Sequence, residues 1–223
     1  MRLNWKDKPE IGVVGHTGMV GTQLFNYYKS RGFKVFGYSR SKKNGFPRAS
    51  WEEINGEADI IFVCVPTPYD FKKRNSDFLA VESVLGQIKE GKIVVIKSTI
   101  WPGTTDRLQK KFSHLTLIFN PEFLSRKTAR KDFENPDRQI VGFTNKSRGF
   151  AQEVLLLLPR GKKNMVMKAA EAELVKYAHN VYGVLRIIWA NQLYDISEKL
   201  NIDYEKVKEG FVASEFIGPG MLR

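Results

Sequence analysis

The chain has 223 residues, of which 42% are hydrophobic and 12% aromatic. That suffices for a sizeable core and excludes both a disordered chain and a disulfide-stapled miniprotein. Its single cysteine excludes an internal disulfide or a cysteine-based metal site. An excess of 36 Lys and Arg over 24 Asp and Glu, net +12, points to an anionic partner or a solvated basic surface.

From the N-terminus, MRLNWKDKPE has no apolar core of a signal peptide. No later run approaches the ~20 apolar residues of a membrane span, so a cytoplasmic chain is expected. Strands are expected at Ile11–Val14, 34–38, 59–65, 93–97, 115–119 and 139–143, each rich in Val, Ile or Phe and bounded by turn residues. Helices are expected between them at Met19–Ser30, 77–89, 104–112 and 147–158. Alternation at this spacing predicts an α/β fold with a parallel, doubly wound sheet, because parallel neighbours need crossover connections. The basic residues fall in short clusters at 40–43, 72–74, 126–131 and 160–163. No nucleic-acid-binding signature accompanies them.

From 169 to 200 there is no proline, and apolar residues recur at Leu174, Ala178, Val181, Leu185, Ile188, Ile196 and Leu200. This is helical periodicity, for a helix of roughly 48 Å. It is longer than the first domain can cover and is expected to pack against a second copy or a second domain. Asp203 is positioned to cap a further helix and Gly210 to close it.

The segment G-H-T-G-M-V-G follows the first strand and opens a helix. Gly15, Gly18 and Gly21 permit a tight turn and close backbone approach. With Thr17, Met19 and Val20 they form the expected cradle for a dinucleotide pyrophosphate at a helix N-terminus. The loop is one residue longer than the usual G-x-G-x-x-G. At the end of the second strand, where NAD-binding chains carry an acid for the ribose 2′-OH, stand Ser39 and Arg40, followed by Lys42 and Lys43. A hydroxyl and a guanidinium suit a 2′-phosphate, which favours NADP over NAD. The other reading of 40–43 is a solvated loop. His16, His114 and His179 show no metal-ligand spacing, and His16 is expected to face solvent.

Four segments, F-V-C-V-P-T-P at 62–68, K-S-T-I-W-P-G-T-T at 97–105, N-P-E-F-L at 120–124 with P-D-R at 136–138, and A-E-L-V-K-Y-A-H-N at 172–180, resemble the UDP-glucose/GDP-mannose dehydrogenase family in order and spacing. The resemblance implies a Rossmann-like NAD(P)-binding domain over 1–160 and a central helical dimerisation segment over 161–223. It also implies that the family's C-terminal UDP-binding domain is absent from this chain. Family members oxidise a sugar CH₂OH in two hydride transfers to a nicotinamide. By resemblance, Val65, Pro66 and Thr67 line the cofactor site and Thr99 lies between nicotinamide and substrate. Glu122 orders water or polar groups at the reacting carbon, and Phe123 and Leu124 contact the nucleotide sugar. Lys176 and Asn180 resemble the family's Lys–Asn pair, whose spacing of four places both on one helix face.

Three departures stand out. Ser39 replaces the family's acid, and Ser125, Arg126 and Lys127 replace the Arg-Glu-Gly that follows N-P-E-F-L. The family's nucleophilic cysteine lies in a G-G-x-C segment beyond this chain's G-P-G-M-L-R end, and Cys64 sits in a strand, where a thiol is usually a buried small hydrophobe. The leading expectation is therefore the cofactor-binding and homodimerising portion of a nucleotide-sugar 6-dehydrogenase. The alternatives are a short hydroxyacid-dehydrogenase-like reductase using Lys176 and Asn180, or an inactive binding and oligomerisation module.

Overall fold

A computed structural model describes residues 8–40, 45–72 and 74–214. Lys42 and Lys43 of the basic loop and the G-P-G-M-L-R end lie outside the described residues. The chain divides into two compact units, Met1–Lys176 and Tyr177–Arg223.

In chain order, the first unit holds β1 (Ile11–Val14), α1 (Met19–Ser30), β2 (Val35–Tyr38), α2 (Trp51–Glu57), β3 (Ile60–Val63), the short hairpin β4 (Tyr69–Asp70) and β5 (Asn75–Ser76), and α3 (Leu79–Leu85). It continues with β6 (Ile93–Ile96), α4 (Thr104–Lys111), β7 (Thr116–Phe119), α5 (Ala129–Glu134), β8 (Arg138–Phe143), α6 (Ala151–Leu157), β9 (Lys163–Lys168) and the start of α7 (Ala169–Lys199). A seven-stranded sheet has the order β2-β1-β3-β6-β7-β8-β9.

The central strands β1, β3, β6 and β7 are buried along their whole length. Their alternate residues feed two cores. Val14, Ile61, Val63, Val94, Ile96, Leu117 and Phe119 pack on one face, and Ile11, Val13, Ile60, Phe62, Val95 and Ile118 on the other. A sheet covered on both sides needs unbroken apolar runs, which is why these strands are legible as runs. Each such side chain contributes about 2 kcal/mol of transfer free energy when fully buried.

The β4–β5 hairpin and α5 add to the expected layout, and the structure amends it further. Helix α2 was not anticipated, although Ser50 and Glu53 form a capping box: the Glu53 N–H donates to Ser50 Oγ at 3.2 Å and the Ser50 N–H to Glu53 Oε2 at 2.6 Å. Strand β9 pairs in parallel with β8 and carries the sheet past residue 160. The pairing of β7 with β8 is antiparallel, because their connection holds only loop and the six-residue α5 in place of a crossover helix. Gly210 does not end the last helix: α8 (Tyr204–Val212) runs two residues past it.

In the second unit, α7 continues to Lys199 and α8 follows, with Asp203 accepting from the Glu205 N–H at 3.0 Å as its cap. Trp189 meets Phe211, and Tyr194 meets Tyr204, through ring contacts between the two helices. Among the described residues no helix is long and apolar enough to cross a membrane.

Candidate functional site

The sheet order reverses at β1, between β2 and β3, and such a switch point opens a crevice beyond the strand ends. Gly15 sits at the tip of β1 with φ 87°, and a Cβ there would lie 2.4 Å from the Cys64 carbonyl oxygen. Gly21, one turn into α1, faces Gly15: its Cβ would meet Gly15 O at 2.2 Å. Both glycines are therefore dictated by close approach. Gly18 caps α1 without a side-chain acceptor, which leaves first-turn N–H groups for an anion.

The crevice measures about 630 Å³ and is lined by Gly15, Thr17 and Gly18 of the loop, by Ser39 and Arg40, and by Val65 and Pro66. Of the other expected cofactor residues, Met19, Val20, Gly21, Thr67 and Thr99 do not line it. Thr67 Oγ1 instead donates to the Thr99 carbonyl at 2.7 Å, tying the P-T-P turn to the loop after β6. Sequence reasoning missed Tyr38, Trp51 and the α3 residues Leu79, Ala80 and Ser83, which also line it. Tyr38 and Trp51 stack at 4.6 Å between centroids, and the Arg48 guanidinium rides on Tyr38 at 4.7 Å. An open helix N-terminus, a glycine cradle and an apolar crevice with aromatic walls fit a dinucleotide.

His16 is one of the two residues between the first glycines of the lengthened loop, and it does not face solvent as expected. It is 1% exposed, with its ring against Phe25 and Phe46 and over Gly37, where a Cβ would clash at 2.5 Å. Its Nδ1 lies 3.1 Å from Ser39 Oγ. Ser39 Oγ also accepts from the Thr17 N–H at 3.2 Å and from Thr17 Oγ1 at 3.0 Å.

At the ends of β6 and β7 lies a charged cluster. Lys176 Nζ donates to Glu122 Oε1 at 2.8 Å and to the Glu122 carbonyl at 2.6 Å; the two side chains are 6% and 14% exposed. Glu122 Oε2 accepts from the Leu124 N–H at 2.7 Å. Phe123 covers the pair, with the Arg138 guanidinium 3.9 Å and Lys176 Nζ 5.6 Å from its ring centre. Of the three lysine hydrogens, two are used among the described residues, so a third remains for a ligand.

Behind the pair is a residue the motif reading left without a role. Lys97 is 4% exposed, and its Nζ donates to Asn120 Oδ1 at 2.5 Å. Burial pulls its pKa down to about 8, against the opposing pull of Cys64 and Glu122. Cys64 is partly exposed on the crevice wall, yet its thiol is desolvated enough for its pKa to rise to about 12, which makes it a poor nucleophile. Cys64, Lys97, Glu122 and Lys176 thus form one electrostatic group that adjoins the crevice through Cys64. Asn180 stands four residues beyond Lys176 on α7, exposed and within the second unit.

The NAD-binding domain of the UDP-glucose/GDP-mannose dehydrogenase family matches residues 39–156, and the family's central domain matches 170–223. The chain belongs to this family. UDP-glucose 6-dehydrogenase of Rickettsia prowazekii is 31% identical over 173 residues, covering 74% of this chain and 40% of that protein. The Pseudomonas aeruginosa protein of the same name is 31% identical over 185 residues, covering 76% of this chain and 41% of its own length. Among solved structures, a UDP-glucose dehydrogenase from Pyrobaculum islandicum superposes with a TM-score of 0.82 at 26% identity, covering all of this chain and 60% of that one. A GDP-mannose dehydrogenase from Pseudomonas aeruginosa shares the fold, with a TM-score of 0.79 at 23% identity over 92% of this chain and 57% of the other. This family member thus spans about two-fifths of the length of these curated relatives. The family match begins at Ser39, after the lengthened glycine loop.

Proposed function

We propose that the chain is the cofactor-binding and dimerising portion of a cytoplasmic nucleotide-sugar 6-dehydrogenase acting on a UDP-glucose-like substrate. The observation that carries this reading is the Lys176–Glu122 pair, electrostatically joined to Cys64 on the wall of a dinucleotide-shaped crevice. When bound there, a nicotinamide dinucleotide supplies a hydride acceptor for the sugar carbon.

Gly15, Thr17 and Gly18 hold the pyrophosphate, with the first-turn amides of Met19 and Val20. Val65 and Pro66 border the nicotinamide half, Thr67 ties their turn to the Thr99 loop, and Thr99 separates the nicotinamide from substrate. The third hydrogen of Lys176 donates to the substrate oxygen on which negative charge grows as the hydride leaves; Asn180 is assigned a catalytic role by its place in the family motif. Glu122 aims Lys176 and orders water at the reacting carbon; Phe123 and Leu124 contact the nucleotide sugar. Cys64 is assigned no nucleophilic role. The missing acid at position 39 and the guanidinium of Arg40 favour NADP over NAD. Val184, Leu185, Ile187 and Ile188 on α7 are each more than half exposed, and a patch of this size supports a homodimer through the helix.

The test is Lys176→Met, assayed for nicotinamide reduction with nucleotide sugars and for NADH affinity. Turnover is expected to fall by about a hundredfold or more, with affinity for NADH within about twofold of wild type. Unchanged turnover removes Lys176 from the site. Turnover with 2-hydroxy acids and none with nucleotide sugars favours a short reductase.

A further inference from the structure

The end of β2 is where a dinucleotide fold reads the adenosine ribose, and Ser39 occupies that place. A hydroxyl has one hydrogen and two lone pairs. Both lone pairs of Ser39 are taken by Thr17, through its N–H and its Oγ1. The one hydrogen is directed to His16 Nδ1, 3.1 Å away, in the tautomer that carries its ring proton on Nε2. Nε2 then has no hydrogen-bond acceptor among the described residues and lies among the aromatic rings of Phe25 and Phe46. Ser39 is 7% exposed, and with that tautomer every valence of its hydroxyl is spent on Thr17 and His16.

We infer that Ser39 is a positioning residue and that the 2′ substituent of the cofactor is read by Arg40. This rests on the crevice being a dinucleotide site. His16 of the lengthened loop is folded inward over Gly37, and Ser39 clamps His16 and Thr17 to the tip of β2. Ser39 thereby does mechanically for the lengthened loop what a short G-x-G turn does sterically. Arg40 is exposed and lines the crevice, so its guanidinium is open to a ligand where the hydroxyl is not. The ligand class that follows is a dinucleotide with a 2′-phosphate, held through charge-assisted hydrogen bonds.

NADPH and NADH are titrated by fluorescence against wild type, Arg40→Ala and Ser39→Ala, with thermal melting to confirm folding. Arg40→Ala is expected to weaken NADPH by about tenfold or more and NADH by less than about twofold. Ser39→Ala is expected to weaken both by the same factor, about threefold to tenfold. Should Ser39→Ala fail to fold, Thr17→Val, which removes one of the three clamp bonds, carries the same expectation. A selective loss of NADPH in the serine or threonine variant overturns the inference, as does an equal loss of both cofactors in Arg40→Ala. Wild type that binds neither dinucleotide overturns the cofactor reading together with the inference, a result distinct from either. Nitrogen NMR of His16 gives an independent readout. The proton is expected on Nε2 in wild type and redistributed in Ser39→Ala; a proton on Nδ1 in wild type would free the serine hydrogen for a ligand and overturn the inference.

Discussion

Lys97 shows how a buried charge can serve a site it does not touch. Its ammonium bridges to Asn120 Oδ1, and Asn120 Nδ2 donates onward to Gln139 Oε1 at 3.1 Å and to the Ile140 carbonyl at 2.7 Å. One lysine and one asparagine therefore bind β6, β7 and β8 together, each two positions before a proposed site residue, Thr99 or Glu122. Because burial lowers the pKa from 10.5 to about 8, the native state holds fewer protons than the unfolded chain between those pH values. Stability contributed by this group must rise with pH across that window. Denaturant unfolding at pH 8 and pH 10 is expected to show wild type gaining on Lys97→Met as pH increases; parallel pH profiles would contradict the assignment. The K-S-T and N-P-E-F-L motifs were visible in the sequence, but the roles of Lys97 and Asn120 were not. Those roles depend on which strands become neighbours, and strand order is not written in local spacing.

At the scale of elements, the four fully buried strands and α1 stood out because burial on two faces demands continuous apolar runs. Strand β9 was not legible: KNMVMK alternates, carries lysine at both ends and lies at the sheet edge, so its pattern resembles a loop's. The junction between sheet and long helix was also hidden. Glu173 on α7 is fully buried and accepts from the Gly103 N–H at 2.6 Å, the Thr105 N–H at 2.8 Å and Thr105 Oγ1 at 2.6 Å. It caps α4 in place of a local residue, since Gly103 offers no side chain. Desolvation nevertheless raises its carboxyl pKa above the ordinary value. Glu173→Ala orphans two backbone donors and is expected to cost about 3 kcal/mol in denaturant unfolding; a loss below about 1 kcal/mol would show that water replaces the carboxylate.

At the scale of the molecule, the expected sheet domain ended at 160, whereas β9 and the first turns of α7 belong to the first unit, which runs to Lys176. Gly142 on β8 fits the sheet to the first turn of α7, since a Cβ there would meet Ala172 Cβ at 2.8 Å. The candidate site was legible in part: the glycine loop, Arg40, Lys176 and Glu122 were each named from motifs, but Lys176 was paired with Asn180, and its ion pair with Glu122 was not foreseen. Tyr38, Trp51 and the α3 wall were not, because apolar and small residues that line a crevice carry no signature apart from the fold that gathers them.

The central claim is that this crevice takes a nicotinamide dinucleotide. The most direct measurement is titration of NADH and NADPH, followed by fluorescence, against wild type and Ser83→Trp, which places an indole on the exposed α3 wall of the crevice. Saturable binding to wild type at or below millimolar concentration is predicted, weakened by about tenfold or more in Ser83→Trp. No saturation by either dinucleotide at millimolar concentration, or equal affinity in the two proteins, would contradict it.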